Sequence, residues 1–261
     1  VAARTFFGTL RLALLLVVLV FVALGAWLDR TRSTAWDTTL RVTVYPIAAD
    51  DSAATRDCAA AVDDTQFESA ARFLATEARG YGVGLAEPVR FRVSHAASGS
   101  PPALPARPGP FSIAWWSLRL RFWARRVAAH DPLAKPDVQV FAIYQQDDGV
   151  HAAPDSTGLR KGLVAVAHLF CGRSAVPDNA MVVTHELLHT LGATDKYDPS
   201  TGQPRVPDGL GDPARTPLYP QRSGEIMAGR IAVSPNRAEI PHSLSEMVVG
   251  PATAAEIGWS R

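Results

Sequence analysis

Apolar and polar positions alternate along Leu40–Ile47 (LRVTVYPI), the period-two pattern of a half-buried strand. Thr65–Arg79 changes to a helical period. Phe67, Ala70, Ala71, Leu74 and Ala78 share one face, and Gly80 and Gly82 follow where the helix stops. Pro88–Ser94 (PVRFRVS) alternates again and predicts a second strand. Ser98–Pro110 holds five prolines and two glycines in thirteen residues and must be loop. In Phe111–His130, Ile113, Trp116, Leu120, Trp123 and Val127 follow a 3-4-3-4 spacing and make one apolar stripe, flanked by Arg119, Arg121, Arg125 and Arg126. Packing of that helix on a sheet with solvated arginines is the favoured reading; a membrane surface is the other. Val138–Gln145 and Leu163–Phe170 predict two more strands, separated by a loop over Asp147–Lys161. A helix over Asn179–Leu191 follows, with Asp178 expected as its N-cap. Pro199–Pro220 reads as irregular, and Pro251–Ile257 as a short helix ended by Gly258. This order describes one α+β domain, with an α/β-like succession of elements and a mixed sheet.

The N-terminus is different in kind. Leu12–Leu28 runs seventeen residues without a charge, between Arg4 and Arg11 on one side and Asp29, Arg30 and Arg32 on the other. As a helix it would span about 25 Å, slightly less than a hydrocarbon core of about 30 Å. An uncleaved signal anchor, with Trp27 at the interface, is the favoured expectation. A cleaved signal peptide ending near Ala23-Leu24-Gly25 is the main alternative, and a buried core helix the lesser one, since the segment is apolar all round. With either signal, residues 1–36 are read as signal anchor or signal peptide and stem, and residues 37–261 as an exported domain, at the cell membrane if anchored and secreted if cleaved. Export permits disulfides, so Cys58 and Cys171 are either one bridge or two buried thiols.

With 26 Lys and Arg against 25 Asp and Glu, the chain has a formal charge of +1. Residues 1–36 carry four Arg and one Asp, which leaves 22 bases against 24 acids for the body. Such a body lacks the basic face that a nucleic-acid partner requires. At 47% hydrophobic residues the composition also excludes a disordered chain.

The segment that speaks to chemistry is Thr184-His185-Glu186-Leu187-Leu188-His189-Thr190-Leu191-Gly192-Ala193-Thr194-Asp195. On a helix, His185 and His189 project from one face on successive turns, where one Zn²⁺ accepts both imidazoles. Glu186 is rotated by about 100° from His185, near enough to deprotonate a metal-bound water without being a ligand itself. Gly192 lets the chain reverse, and Asp195 returns as an oxygen ligand. Three protein ligands with one open position are the pattern of a catalytic zinc site.

HELLHTLGATD resembles the metzincin zinc-peptidase signature HExxHxxGxxH, with Asp195 in place of the third histidine, a variant found in the snapalysin-like group of small secreted bacterial proteases. Gly224-Glu225-Ile226-Met227-Ala228-Gly229 is similar to the methionine turn beneath the metal in that family. The resemblance implies a metzincin-like zincin domain with His185, His189 and Asp195 on zinc, Glu186 as general base and then acid, and Met227 as hydrophobic support. It also implies a peptide or protein substrate, its backbone received by a strand near the active-site helix, for which Leu163–Phe170 is the candidate.

Alternatives stay open at this level. Glu246 or Glu256 would be the third ligand in a thermolysin-like scheme; Asp198, His242 and His168 qualify by residue type alone. Tyr197 and Tyr219 could donate to an oxyanion. Asp208–Asp212 (DGLGD) is too short to supply enough oxygen ligands for calcium. Other functional classes consistent with the motif are a zinc-binding envelope protein without proteolytic activity and a zinc hydrolase of a non-peptide amide.

Overall fold

The computed structural model describes residues 34–107, 109–147, 157–159 and 163–260. The expected membrane segment over Leu12–Leu28 lies outside the described residues, among which no helix is long and apolar enough to cross a membrane.

The architecture is α+β, built on a five-stranded mixed sheet. β1 (Leu40–Ala48) pairs in parallel with β2 (Val89–Val93) on one side and β3 (Val138–Gln145) on the other. β5 (Val164–Phe170) extends the parallel run beside β3, and β4 (Thr157–Leu159) lies antiparallel along β5, giving the order β2-β1-β3-β5-β4. Parallel neighbours need crossovers, and helices supply them. α1 (Ala53–Ala60) and α2 (Glu68–Gly80) connect β1 to β2; α3 (Pro110–His130) connects β2 to β3; α4 (Val176–Leu191) follows β5. After a long irregular segment come two small ribbons, β6 (Gly224–Glu225) with β9 (Met247–Val248) and β7 (Ile231–Ser234) with β8 (Arg237–Glu239), and then α5 (Pro251–Glu256).

Strand periodicity divides the core into two layers. Val42, Val44, Val138, Val140, Ala142, Ala165, Ala167 and Leu169 face α1, α2, α4 and the C-terminal ribbons. Tyr45, Ile47, Phe141, Val164 and Val166 face the other way, onto Trp116, Leu120, Ala124 and Val127 of α3. Phe141 anchors this second layer, stacked on Tyr45 at 5.1 Å and tilted against Trp123 at 4.4 Å. At roughly 2 kcal/mol for each large side chain taken out of water, the layers rather than intrinsic propensity hold the helices.

Several expectations change. β1 is not half-buried: it is interior and covered on both faces, and even Thr43 is buried. α1 is absent from the sequence reading because its sequence, AATRDCAA, has no strong apolar stripe. α2 is preceded by a 3-10 turn over Asp64–Phe67, with Asp63 accepting from the Thr65 amide at 2.9 Å. α4 begins at Val176, three residues before its expected start, so Asp178 sits in the first turn and is not the N-cap. Its acidic side chain still suits the positive end of the helix dipole. The expected Asp147–Lys161 loop contains β4, whose pairing with Val164–Val166 makes β5 interior over those residues. Leu163–Phe170 is therefore not a free edge along its length, and the outermost described edge on this side belongs to β4.

Cys58 on α1 and Cys171 just after β5 form a disulfide, their Cα atoms 5.9 Å apart. Trp36, the last residue of the predicted stem, is buried against Trp259, and its Nε1 donates to the Ile257 carbonyl at 2.8 Å.

Candidate metal centre

α4 is fixed to the sheet before it reaches the site. The side chain of Asn179 both accepts from the Phe170 amide (3.1 Å) and donates to its carbonyl (2.8 Å), which ties the first turns of α4 to the end of β5. Ala180, Val183, Leu187, Leu188 and Leu191 are buried in the core, so their helix face sets the rotation that directs His185 and His189 away from it. The helix ends at Gly192, with φ of 121°; the Gly192 amide donates to Leu188 and His189, and the Ala193 amide to Leu188. A Cβ at Gly192 would lie 3.2 Å from the Glu256 carbonyl in addition to its backbone strain.

That reversal builds the site. His189 Nδ1 lies 2.9 Å from the carbonyl of Ala193, the first residue after the Gly192 turn. His185 Nδ1 lies 3.0 Å from the carbonyl of Ile226, in the turn before Met227. A carbonyl only accepts, so each Nδ1 carries a hydrogen, which leaves Nε2 as the ring atom able to present a lone pair to a metal. The two rings stand nearly perpendicular at 86°, with centroids 4.6 Å apart. Asp195 Oδ1 lies 3.3 Å from His185 Nε2 and 3.1 Å from His189 Nε2.

Three acceptors thus converge, and Asp195 Oδ1 is buried without a hydrogen-bond donor. Two lone pairs and a carboxylate oxygen at this spacing repel unless positive charge lies among them. The titration tendencies express the same demand. Burial lowers the pKa of His185, yet Asp195, Glu186 and the Ile226 carbonyl together raise it above the ordinary value. For Asp195, burial is outweighed by the two histidines, and its carboxyl is held far below the usual range. Among the described residues, His185, His189 and Asp195 are the one group of His, Cys, Asp and Glu side chains placed to hold a metal ion, their ligand atoms all within 4.8 Å of one another. The orphaned oxygen and the two fixed tautomers fit a cation. Glu186, adjacent to the first histidine, is buried beside them.

The alternatives raised by residue type lie elsewhere. Glu256 accepts from the Thr194 amide (2.8 Å), from Thr194 Oγ1 (2.6 Å) and from Lys196 Nζ (2.8 Å), so it braces both neighbours of Asp195 from outside the ligand set. Glu246 accepts from the His242 amide at 2.8 Å. Asp198 accepts from the Ser200 amide and hydroxyl in its own turn. His168 shares the alternation of Val164 and Val166 and so lies on the α3 side of the sheet, opposite α4. Tyr219 is half-buried in the irregular segment, and Tyr197 follows Asp195 by two residues. In the DGLGD run, a Cβ at Gly209 would come within 2.3 Å of the Lys196 carbonyl, so close backbone packing beside the site accounts for that glycine.

Next to Ile226, whose carbonyl His185 contacts, Met227 is fully buried, and its carbonyl accepts from the Lys196 amide at 2.9 Å. Sequence reasoning did not single out Glu225, which holds this turn in shape. Its Oε2 accepts from the Met227 (2.6 Å) and Ala228 (3.0 Å) amides, and its Oε1 from the Gly250 amide (3.2 Å) and Thr253 Oγ1 (2.7 Å). An acid next to an expected buried turn was the available signal. The brace formed by Lys196 and Glu256 had no comparable signal, because the two are sixty residues apart. Compared with protein-family models and with curated proteins, the chain matches none.

Proposed function

We propose that the chain is a zinc-dependent metallopeptidase of metzincin-like fold, exported and held at the cell membrane by its N-terminal apolar segment. The observation that carries this reading is the convergence of His185 Nε2, His189 Nε2 and the orphaned Asp195 Oδ1, with the carboxylate of Glu186 buried next to them. The helix with both histidines, the Gly192 reversal and the Met227 turn supply the rest of the metzincin-like pattern. Zinc, the metal that two imidazoles and a carboxylate suit, supplies Lewis acidity that polarises a carbonyl and acidifies water toward neutral pH. His185, His189 and Asp195 would hold it, the histidines in the tautomer that the Ile226 and Ala193 carbonyls impose.

Glu186 takes a proton from the water that attacks the scissile carbonyl carbon, and the same carboxyl returns that proton to the amide nitrogen as the C–N bond breaks. The edge of β4, outermost among the described residues, is the candidate to receive an extended substrate backbone, since β5 is already paired over Val164–Val166.

The test is metal content and quenched-peptide cleavage by the purified full chain, for wild type, Glu186→Gln and Asp195→Ala. The reading expects one zinc per chain in wild type. Glu186→Gln should keep the zinc and lose cleavage by at least a hundred-fold, of the order expected for a general base; Asp195→Ala should lose both. Zinc bound without cleavage of any peptide would favour the non-proteolytic alternative, and no zinc would overturn the reading.

A further inference from the structure

Helix α3 has two apolar faces. Trp116, Leu120, Ala124 and Val127 are buried on the sheet. Phe111, Trp115, Leu118 and Phe122, spaced i, i+4, i+7 and i+11, form a second stripe that is 92, 63, 58 and 64% exposed. Arginines border it: at about 100° per residue, Arg119 and Arg126 fall along one side of the stripe and Arg121 and Arg125 along the other. The helix contains no acidic residue, and none of these arginines is in an ion pair among the described residues.

A contiguous exposed stripe of this kind marks an interaction surface, and its borders select the partner. A second copy of α3 would bring four more arginines against these four. A flat anionic surface with an apolar interior satisfies both features, because arginine stems lie along apolar surface while their heads reach phosphates, and tryptophan favours the headgroup level. The uncharged Leu12–Leu28 stretch of the same chain, read as a signal anchor, would hold the domain at such a surface.

We propose that α3 docks lengthwise on an anionic lipid bilayer, its Phe111, Trp115, Leu118 and Phe122 side chains entering the headgroup–acyl boundary and its arginines pairing with lipid phosphates. α4 lies on the other face of the sheet, so docking turns the candidate metal centre away from the lipid. The proposal does not depend on the peptidase reading.

The test uses the full chain reconstituted into vesicles of phosphatidylcholine alone or of an equimolar mixture with phosphatidylglycerol. Trp115 fluorescence is isolated as the difference between wild type and Trp115→Phe. In the anionic vesicles, lipids brominated on their acyl chains should quench Trp115, and aqueous acrylamide should not. Phe111→Ser/Phe122→Ser should abolish the bromolipid quenching with an unchanged circular dichroism spectrum. Arg119→Ser/Arg125→Ser/Arg126→Ser should lower the ratio of docked to undocked helix by about a hundred-fold, each arginine being worth about a factor of five at an anionic surface. Three results would overturn the proposal: Trp115 open to acrylamide in anionic vesicles; Trp115 shielded from both quenchers, which would mean that protein covers the stripe; or equal bromolipid quenching in both lipids that survives the arginine substitutions.

Discussion

Glu225 offers a direct test of how the site is held. Its carboxylate accepts four hydrogen bonds inside the core, two on each oxygen. Thr253→Val removes one of them and should cost about 1.5–2 kcal/mol, the value of a bond to a charged acceptor. In Glu225→Gln the amide nitrogen is best placed on the Oε1 side, where the Thr253 hydroxyl can turn to accept from it but the Gly250 amide is left facing a donor; one bond is lost and the others lose a charged acceptor, at a cost of about 2–4 kcal/mol. Glu225→Ala orphans all four and approaches the whole stability of a domain, about 5–15 kcal/mol; the two milder variants carry the measurement. Urea unfolding of the full chain in mild detergent ranks them. Because the Ile226 carbonyl orients His185, Glu225→Gln should also weaken metal binding by about 10–100-fold. Burial raises the Glu225 pKa, prevailing over the pull of Thr253 and the three amides. A folded value above the unfolded one, about 4.3, makes the group's contribution greatest below that pH and smaller as pH rises through the folded value. The stability lost in Glu225→Gln should therefore be larger at pH 4 than at pH 7. A variant within about 0.5 kcal/mol of wild type, as an ordinary surface substitution would be, refutes the hub. Lost stability with unchanged metal affinity refutes its coupling to His185.

Other expectations are brief. Cys58→Ser/Cys171→Ser opens a bridge between residues 113 apart and should lower stability by about 4–5 kcal/mol, read by denaturant midpoint. Gly192→Ala should cost about 1–2 kcal/mol in thermal stability from the positive φ, and should weaken metal binding through the displaced Ala193 carbonyl. Zinc at a hundred times its dissociation constant should stabilise the folded chain by about 2.7 kcal/mol, and Asp195→Ala should remove most of that gain in the same melting assay. Glu256→Gln, which weakens the brace on Lys196, should reduce metal affinity while leaving the His185 and His189 tautomers intact, a split visible as histidine imidazole shifts in NMR spectra.

The parts of the fold legible in the sequence were those whose periodicity is local. Val138–Gln145 matches its strand, and the inward face of α3, with Trp116, Leu120 and Val127, follows its 3-4 spacing. What escaped depends on partners distant in the chain. Alternation in LRVTVYPI suggested one wet face, but parallel neighbours and helices on both sides bury even Thr43. β4 is three residues long and exists through its pairing with β5, so no window of sequence could reveal it. The outer stripe of α3 was hidden by success elsewhere: once Trp116 and Leu120 accounted for one apolar face, Phe111, Trp115, Leu118 and Phe122 were not read as a second.

The candidate site shows the same division at the level of single residues. His185, Glu186 and His189 are fixed relative to one another by helix geometry alone, so their spacing carried the chemistry. The third ligand was a choice between Asp195, six residues on, and carboxylates such as Glu256 that only tertiary structure could bring near. Residue type cannot decide between them, because both carboxylates end up close to α4. Hydrogen bonding distinguishes them: Glu256 has its oxygens engaged by Thr194 and Lys196, whereas Asp195 Oδ1 faces two Nε2 atoms without a donor, which favours Asp195 under the proposed reading. The two acids are thus parts of one device. Lys196 neutralises Glu256, and its amide is fastened to the Met227 carbonyl. Asp195, held between Thr194 and Lys196, is left facing His185 and His189 as the carboxylate that could join them on a metal ion.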